Sequence, residues 1–286
     1  MPKEAVKSVP PEFYNSLPES EQESLFFARK KSFTATPRLL NNLIHFPDLF
    51  ADAIGVCLDF AGAEVEHLRL KLDPVYCGKE KPTGDGSAVV ILPGFGMWES
   101  WYADTKRYFQ NAGFTPVTYI CGVFNNGSWA TTLNLDLDFI RKKCQFTKNK
   151  LNIVAHSLSG YLMRIAAEDW ADELENSVGN IFLVGAPITQ RVNLVIETSF
   201  LISQLPFGEQ QLNNLLTRIQ NLKQPPNLNN VNLFEVESRR DLIVEGKNGQ
   251  GENQIFFDSS HAGLLKDPDV LRFISQKIAE NLAVAA

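Results

Sequence analysis

Residues 151–160 read Leu-Asn-Ile-Val-Ala-His-Ser-Leu-Ser-Gly. A short apolar run, Leu151 to Ala155, has the character of a buried strand. It gives way after three residues, His156-Ser157-Leu158, to a helix-like segment, Ser159 to Leu174. Between them stands Ser157, flanked two positions away on each side by the small residues Ala155 and Ser159. A tight strand-to-helix turn forces its central residue into strained backbone and brings neighbouring chain close to positions two before and two after, so small flanks are required there. Such a turn lifts the Ser157 hydroxyl above the sheet, at the positive end of the following helix. Ser159 is the rival, but its own flank would be Tyr161, too large for the crowded place, so Ser157 is preferred.

Reading outward from this turn, short apolar runs alternate with helix-length amphipathic segments. Ala88–Leu92, Thr115–Ile120, Leu151–Ala155, Asn180–Gly185, Val231–Glu237 and Gln254–Phe257 read as strands. Glu99–Ala112, Trp129–Gln145, Ser159–Leu174 and Pro268–Leu282 read as helices. Strands alternating with helices imply an α/β fold with a mostly parallel sheet flanked by helices, and continuous apolar runs imply strands buried on both faces. Two regions break the rhythm. Residues 1–83 form an N-terminal helical segment, with helices expected over Pro37–Leu49 and Leu49–Phe60 and a turn-rich connector, Lys79–Gly86. Ile188–Asn230 is too long for a plain crossover and reads as a helical cap inserted into the main domain, 84–286, with Leu212, Leu215, Leu216, Ile219 and Leu222 on one face.

The composition fits an ordinary globular protein: 286 residues, 44% hydrophobic, 21% charged. A net charge of −6 gives no support for a nucleic-acid partner. The densest basic run, Arg29-Lys30-Lys31, reads as a solvated helix end. The most apolar stretch, Val192–Leu205, is broken by Asn193 and Glu197 and falls short of the ~18 apolar residues a membrane span needs. The first thirty residues carry no basic-then-apolar leader pattern, and the four cysteines match no metal spacing, so reduced thiols and a cytoplasmic location are expected.

Three further pieces complete a candidate constellation. Leu92-Pro-Gly-Phe-Gly96 follows the first strand, where this architecture places a backbone donor for an oxyanion; the second donor comes from the residue after the serine. That assigns the N–H groups of Phe95 and Leu158. Of four histidines, His45 and His67 lie in the N-terminal region and His156 sits beside the serine with its ring turned away from the hydroxyl. His261, in the last strand–loop–helix, is the candidate general base, since a neutral imidazole accepts a serine proton near neutral pH. Asp241, in the loop after Val231–Glu237, is the candidate acid that orients it, with Asp258 and Glu237 as rivals.

The stretches AVVILPGFG, VAHSLSG, SRRDLIV and SHAGLLKDPDVLRFI together resemble the α/β-hydrolase superfamily, and within it bacterial lipase- and esterase-type members. The resemblance covers about 84–282 and departs from the common pattern at Pro93, Ala155 and Ser159. It implies a Ser157–His261–Asp241 triad, an acyl-enzyme intermediate and a small-molecule carboxylic ester as substrate, with no metal or organic cofactor. Aromatic residues near the expected site, Trp98 and Phe124 above all, together with the cap, suggest a pocket for a lipophilic acyl group. A thioesterase or acyltransferase would use the same triad. An amide hydrolase lacks any recognition feature in the sequence, and a non-catalytic binding protein on this fold would not be expected to keep both serine and histidine.

Overall fold

Why the strands are buried on both faces becomes plain from where their alternate side chains go. The computed structural model describes residues 47–94, 97, 99–118, 150–186, 217, 228–241 and 254–285. Among them, β1 (Ala88–Leu92), β3 (Leu151–His156) and most of β4 (Val178–Val184) are buried throughout. Val90, Leu92, Ile153, Ala155, Ile181 and Leu183 enter one core, which is closed by α3 (Leu158–Asp169). Val89, Ile91, Val154, Phe182 and Val184 enter a second core on the other face. There they meet Tyr108 and Phe109 of α2 (Ala103–Asn111), Leu70 of α1 (Pro47–Leu72), and Val270, Leu271 and Ile274 of α5 (Pro268–Ala285).

With β2 (Thr115–Thr118), β5 (Asn232–Ser238) and β6 (Gln254–Phe257), the strands form one six-stranded sheet in the order β2-β1-β3-β4-β5-β6. Every described pairing is parallel. Pro116, which has no N–H to give a neighbour, sits in the edge strand β2, where that lack costs least. The chain goes from β1 outward to β2, then returns to β3 on the opposite flank of β1 and continues in that direction. The switch in direction therefore lies between β1 and β3, the place where open α/β sheets leave a crevice outside the carboxyl ends of their strands.

Register is reinforced by a row of asparagines. Asn152, Asn180 and Asn232 are direct cross-strand partners. Asn152 Nδ2 donates to the Ala88 carbonyl (3.2 Å), Asn180 Nδ2 to Asn152 Oδ1 (2.6 Å) and Asn232 Nδ2 to Asn180 Oδ1 (3.1 Å). Asn281 of α5 donates to the same Asn180 oxygen at 2.5 Å. A slip of one residue would turn this polar row into the apolar cores.

Three expectations need correction. The N-terminal region does not break near Leu49: one helix, α1, begins at Pro47, a residue suited to a first helical turn, and runs past Phe60 to Leu72. Over residues 58–72 the buried positions, Asp59, Ala63, Glu66 and Leu70, recur at helical spacing, while Leu58, Val65, Leu68 and Leu72 face outward. The segment expected as one helix over Ser159–Leu174 is two, α3 and α4 (Ala171–Ser177), broken where Trp170 leaves helical backbone. That break lets both Trp170 and Leu174 pack on the first core. The segment Glu99–Ala112 opens with a 3-10 turn, Glu99–Tyr102, before α2. The part of the first expected helix over residues 37–46, the expected helix Trp129–Gln145 and nearly all of the expected cap lie outside the described residues.

Asn180→Ala removes one donor and an acceptor used twice, leaving the buried Asn152 Oδ1 bare and the half-buried Asn281 amide without its acceptor. It should lower the unfolding free energy in urea by about 2–4 kcal/mol, against about 1 kcal/mol for Asn232→Ala at the exposed end of the row. Equal small losses would mean that the row does not hold the register.

Candidate active site

Each of the inner strand ends contributes something to the crevice. At the end of β3, Ser157 is the one described non-glycine residue with positive φ (φ 53, ψ −122). Such backbone costs roughly 1–3 kcal/mol and persists only where its surroundings enforce it. Its N–H donates to the Val184 carbonyl at 2.8 Å, and its own carbonyl accepts the Gly160 N–H at 2.9 Å. Tied to β4 on one side and to α3 on the other, Ser157 stays partly exposed at the head of α3. Ser159 is buried, and its hydroxyl donates to the Pro93 carbonyl at 2.5 Å. Of the two serines, Ser157 alone offers a hydroxyl to the crevice.

His261 and Asp241 meet. Asp241 stands just beyond β5, and its Oδ2 accepts His261 Nδ1–H at 2.7 Å, with side chains 5% and 3% exposed respectively. Burial disfavours the imidazolium, but the charge and hydrogen bond of Asp241, with a further contribution from Asp59, outweigh it and raise the His261 pKa above its ordinary value. The bond to Nδ1 leaves Nε2 as the free nitrogen. Gly185 (φ +64) ends β4 beneath this ring: a Cβ there would stand 2.9 Å from His261 Cε1. The rival carboxylates point elsewhere. Asp258 is exposed and faces Arg239 at 3.5 Å, while Glu237 accepts from Gln254 Nε2 at 2.5 Å.

His156 is a connector that the sequence did not reveal. Its Nε2 lies 3.2 Å from the His261 carbonyl, which can only accept, so Nε2 carries the proton. Complete burial, then the nearby His261, pushes its pKa down to about 3, which keeps the ring neutral. Nδ1 must then accept, and the Tyr102 hydroxyl donates to it at 3.0 Å while accepting the Gly94 N–H at 2.9 Å. A continuous chain thus runs from the loop after β1, through Tyr102 and His156, to the backbone of His261. Gly94 has no room for a side chain: a Cβ would come within 2.9 Å of His156 Nδ1 and 3.1 Å of Ser157 Cβ.

Not every expected contact is present. No hydrogen bond joins Ser157 to His261 in this structure. Leu158 is the first residue of α3, whose N–H has no acceptor within the helix. Phe95, Trp98 and Phe124 lie outside the described residues. Trp101, another aromatic near the loop, is engaged in packing: it meets the Phe60 ring edge-on at 5.3 Å and lies under Lys266 Nζ at 3.4 Å. The described residues contain no helix long and apolar enough to cross a membrane.

No protein-family model matches the sequence, and no curated protein matches it. Solved structures do. A soluble variant of monoglyceride lipase from Saccharomyces cerevisiae, bound to a substrate analogue, superposes with a TM-score of 0.50 at 12% identity, over 68% of this chain and 85% of that one. A monoacylglycerol lipase from Paleococcus ferrophilus gives 0.48 at 12% identity (72% and 97% covered). An α/β hydrolase fold protein from Chitinophaga pinensis gives 0.43 at 15% (69% and 90%). The all-parallel described sheet, its flanking helices and the strained turn after β3 define the chain as having the α/β-hydrolase fold.

Tyr102→Phe leaves the Gly94 N–H and His156 Nδ1 buried without their shared partner. Its unfolding free energy should fall by about 2 kcal/mol with the fold retained. A stability equal to wild type in thermal and urea unfolding would show that the chain of bonds is absent in solution.

Proposed function

We propose that the protein is a serine hydrolase that cleaves carboxylic esters through an acyl-enzyme, with Ser157 as nucleophile, His261 as general base and Asp241 as the orienting acid. The observation that carries this reading is the convergence of a strained, partly exposed serine at a helix N-terminus with a buried His261–Asp241 pair at 2.7 Å, both at the carboxyl ends of one parallel sheet. Asp241 holds the Nδ1–H tautomer, so Nε2 is the atom that takes the Ser157 proton. As Ser157 Oγ attacks the carbonyl, negative charge develops on the carbonyl oxygen. The N–H groups of Leu158 and Phe95 receive it, aided by the helix terminus. His261 then gives its proton to the leaving alcohol. A water, deprotonated by the same nitrogen, attacks the acyl carbonyl and releases the acid and the serine.

The acyl group is proposed to be lipophilic, on the strength of the aromatic residues Trp98 and Phe124 and the apolar insertion 188–230. A series of p-nitrophenyl esters from acetate to long chains tests both levels. Octanoate should be cleaved faster than acetate, and Ser157→Ala should lower kcat by about 10³-fold or more. Full activity in Ser157→Ala would overturn the nucleophile. Preference for acetate would overturn the lipophilic acyl group, and faster turnover of a thioester or transfer to an added alcohol would move the reaction to the thioesterase or acyltransferase class.

A further inference from the structure

The N-terminal helix α1 presents an unusual face to the loop that carries His261. Asp59, Gly62, Ala63 and Glu66 share one side, at spacings of three and four residues. Asp59 is 1% exposed, and its two oxygens accept two consecutive backbone N–H groups: Oδ1 that of His261 and Oδ2 that of Ala262, each at 2.7 Å. Further along the helix, Glu66 holds the preceding residue, accepting the Ser260 hydroxyl (3.1 Å) and N–H (3.3 Å) as well as Arg240 Nη2 (2.8 Å). The two backbones approach so closely that a Cβ on Gly62 would stand 2.8 Å from Ser260 Cβ, and one on Gly263 would stand 2.5 Å from Glu66 Oε2.

His261 is consequently held at three places. Its N–H is fixed by Asp59, its carbonyl by His156 and its ring by Asp241. A carboxylate that accepts two adjacent N–H groups sets both the position and the tilt of the peptide from which the ring hangs, and charge-assisted bonds of this length are about twice as strong as neutral ones. The same carboxylate is a second negative charge beside the imidazole, in a place where water does not screen it.

We propose that Asp59 is a positioning residue for the hydrolysis suggested above: it fixes the backbone of His261 so that Nε2 faces Ser157, and it adds to Asp241 in stabilising the imidazolium that forms when the serine proton is taken. The charged and titratable groups around His261 are Asp241 from the loop after β5, Asp59 from α1 and His156 from the end of β3. Glu66 and Arg240 pair with one another beside Ser260. Burial raises the Asp59 pKa and the two N–H groups oppose that rise. His156 is neutral throughout, so of the remaining groups Asp59 and Asp241 set the charge that His261 feels.

The proposal rests on the serine-hydrolase reading, and its test separates the two. The full chain is prepared as wild type, Asp59→Asn, Glu66→Gln and Ser157→Ala. Ester hydrolysis is followed against pH, and the His261 ring is titrated by NMR in ¹⁵N-histidine-labelled protein. Asparagine keeps the shape of Asp59 but carries no charge, and it turns an amide N–H₂ toward one of the two N–H donors. Asp59→Asn should lower kcat on the order of tenfold or more, with KM little changed. It should also move both the acidic limb of kcat/KM and the His261 titration to lower pH, because a neighbouring negative charge that favoured the imidazolium has gone. Glu66→Gln, on the same helix and the same loop, should leave the His261 titration where it is. A titration and kcat unchanged in Asp59→Asn would overturn the proposal, as would an equal shift in Glu66→Gln, which would make the effect one of general loosening. Should Asp59→Asn not fold, Asp59→Glu carries the test: the charge stays, so the titration should remain near wild type while kcat falls, and a wild-type kcat would overturn the positioning role. Full activity in Ser157→Ala with a shifted His261 titration in Asp59→Asn would end the serine-hydrolase reading and leave Asp59's hold on His261 intact.

Discussion

The hydrogen bond from His261 Nδ1 to Asp241 Oδ2 is the constraint around which the rest of the crevice is arranged. It sits where solvent is almost absent, so its electrostatic weight is large, and so is the cost of any polar neighbour left without a partner. The structure meets that cost by closing a network around the imidazole. Asp59 takes the backbone N–H, His156 takes the carbonyl, and Gly185 leaves the space the ring fills. The buried carboxylates of Asp59 and Glu66 are tolerated because each accepts from two or more donors, and removing one partner from such a group is more damaging than never having had the pair.

The same network reaches the strained serine. Ser157 keeps its positive φ because the Val184 carbonyl and the first turn of α3 hold it from opposite sides. His156, the residue before it, is locked between Tyr102 and the His261 backbone. A shift of the His261 loop therefore pulls on the turn that carries Ser157 and, through Tyr102, on the Gly94 peptide at the mouth of the loop after β1. His261, Ser157 and that loop are joined by one set of hydrogen bonds, although they come from residues 94, 156–157 and 261 of the chain.

Much of this could be read from the residues. The strands announced themselves through continuous apolar runs such as Ala88–Leu92, because both faces of the sheet are covered. The small flanks of Ser157 marked the turn, since steric crowding there is a local demand. What stayed hidden depended on contacts between distant segments. The run of α1 past Phe60 gives little signal because its buried face mixes Asp59 and Glu66 with Ala63 and Leu70, whereas Leu58, Val65, Leu68 and Leu72 are exposed. Reading hydrophobicity as burial places the wrong face inward, and only the N–H groups of the His261 loop, some two hundred residues later, explain the acids. The spacing Asp59-x-x-Gly62-Ala63-x-x-Glu66 was the available signal, but acids and small residues in such a stripe ordinarily face water. Tyr102 and His156 were equally silent, since neither has a neighbour in sequence that tells of its partner.

The proposed activation of the Ser157 hydroxyl by the buried His261–Asp241 pair is tested most directly by reacting the protein with a fluorophosphonate and mapping the adduct by peptide mass spectrometry. One adduct is expected, on Ser157, formed at a rate that falls as pH drops through the His261 titration and is lost in His261→Ala. An adduct on Ser159 or elsewhere, or labelling of Ser157 indifferent to both pH and His261, would contradict it.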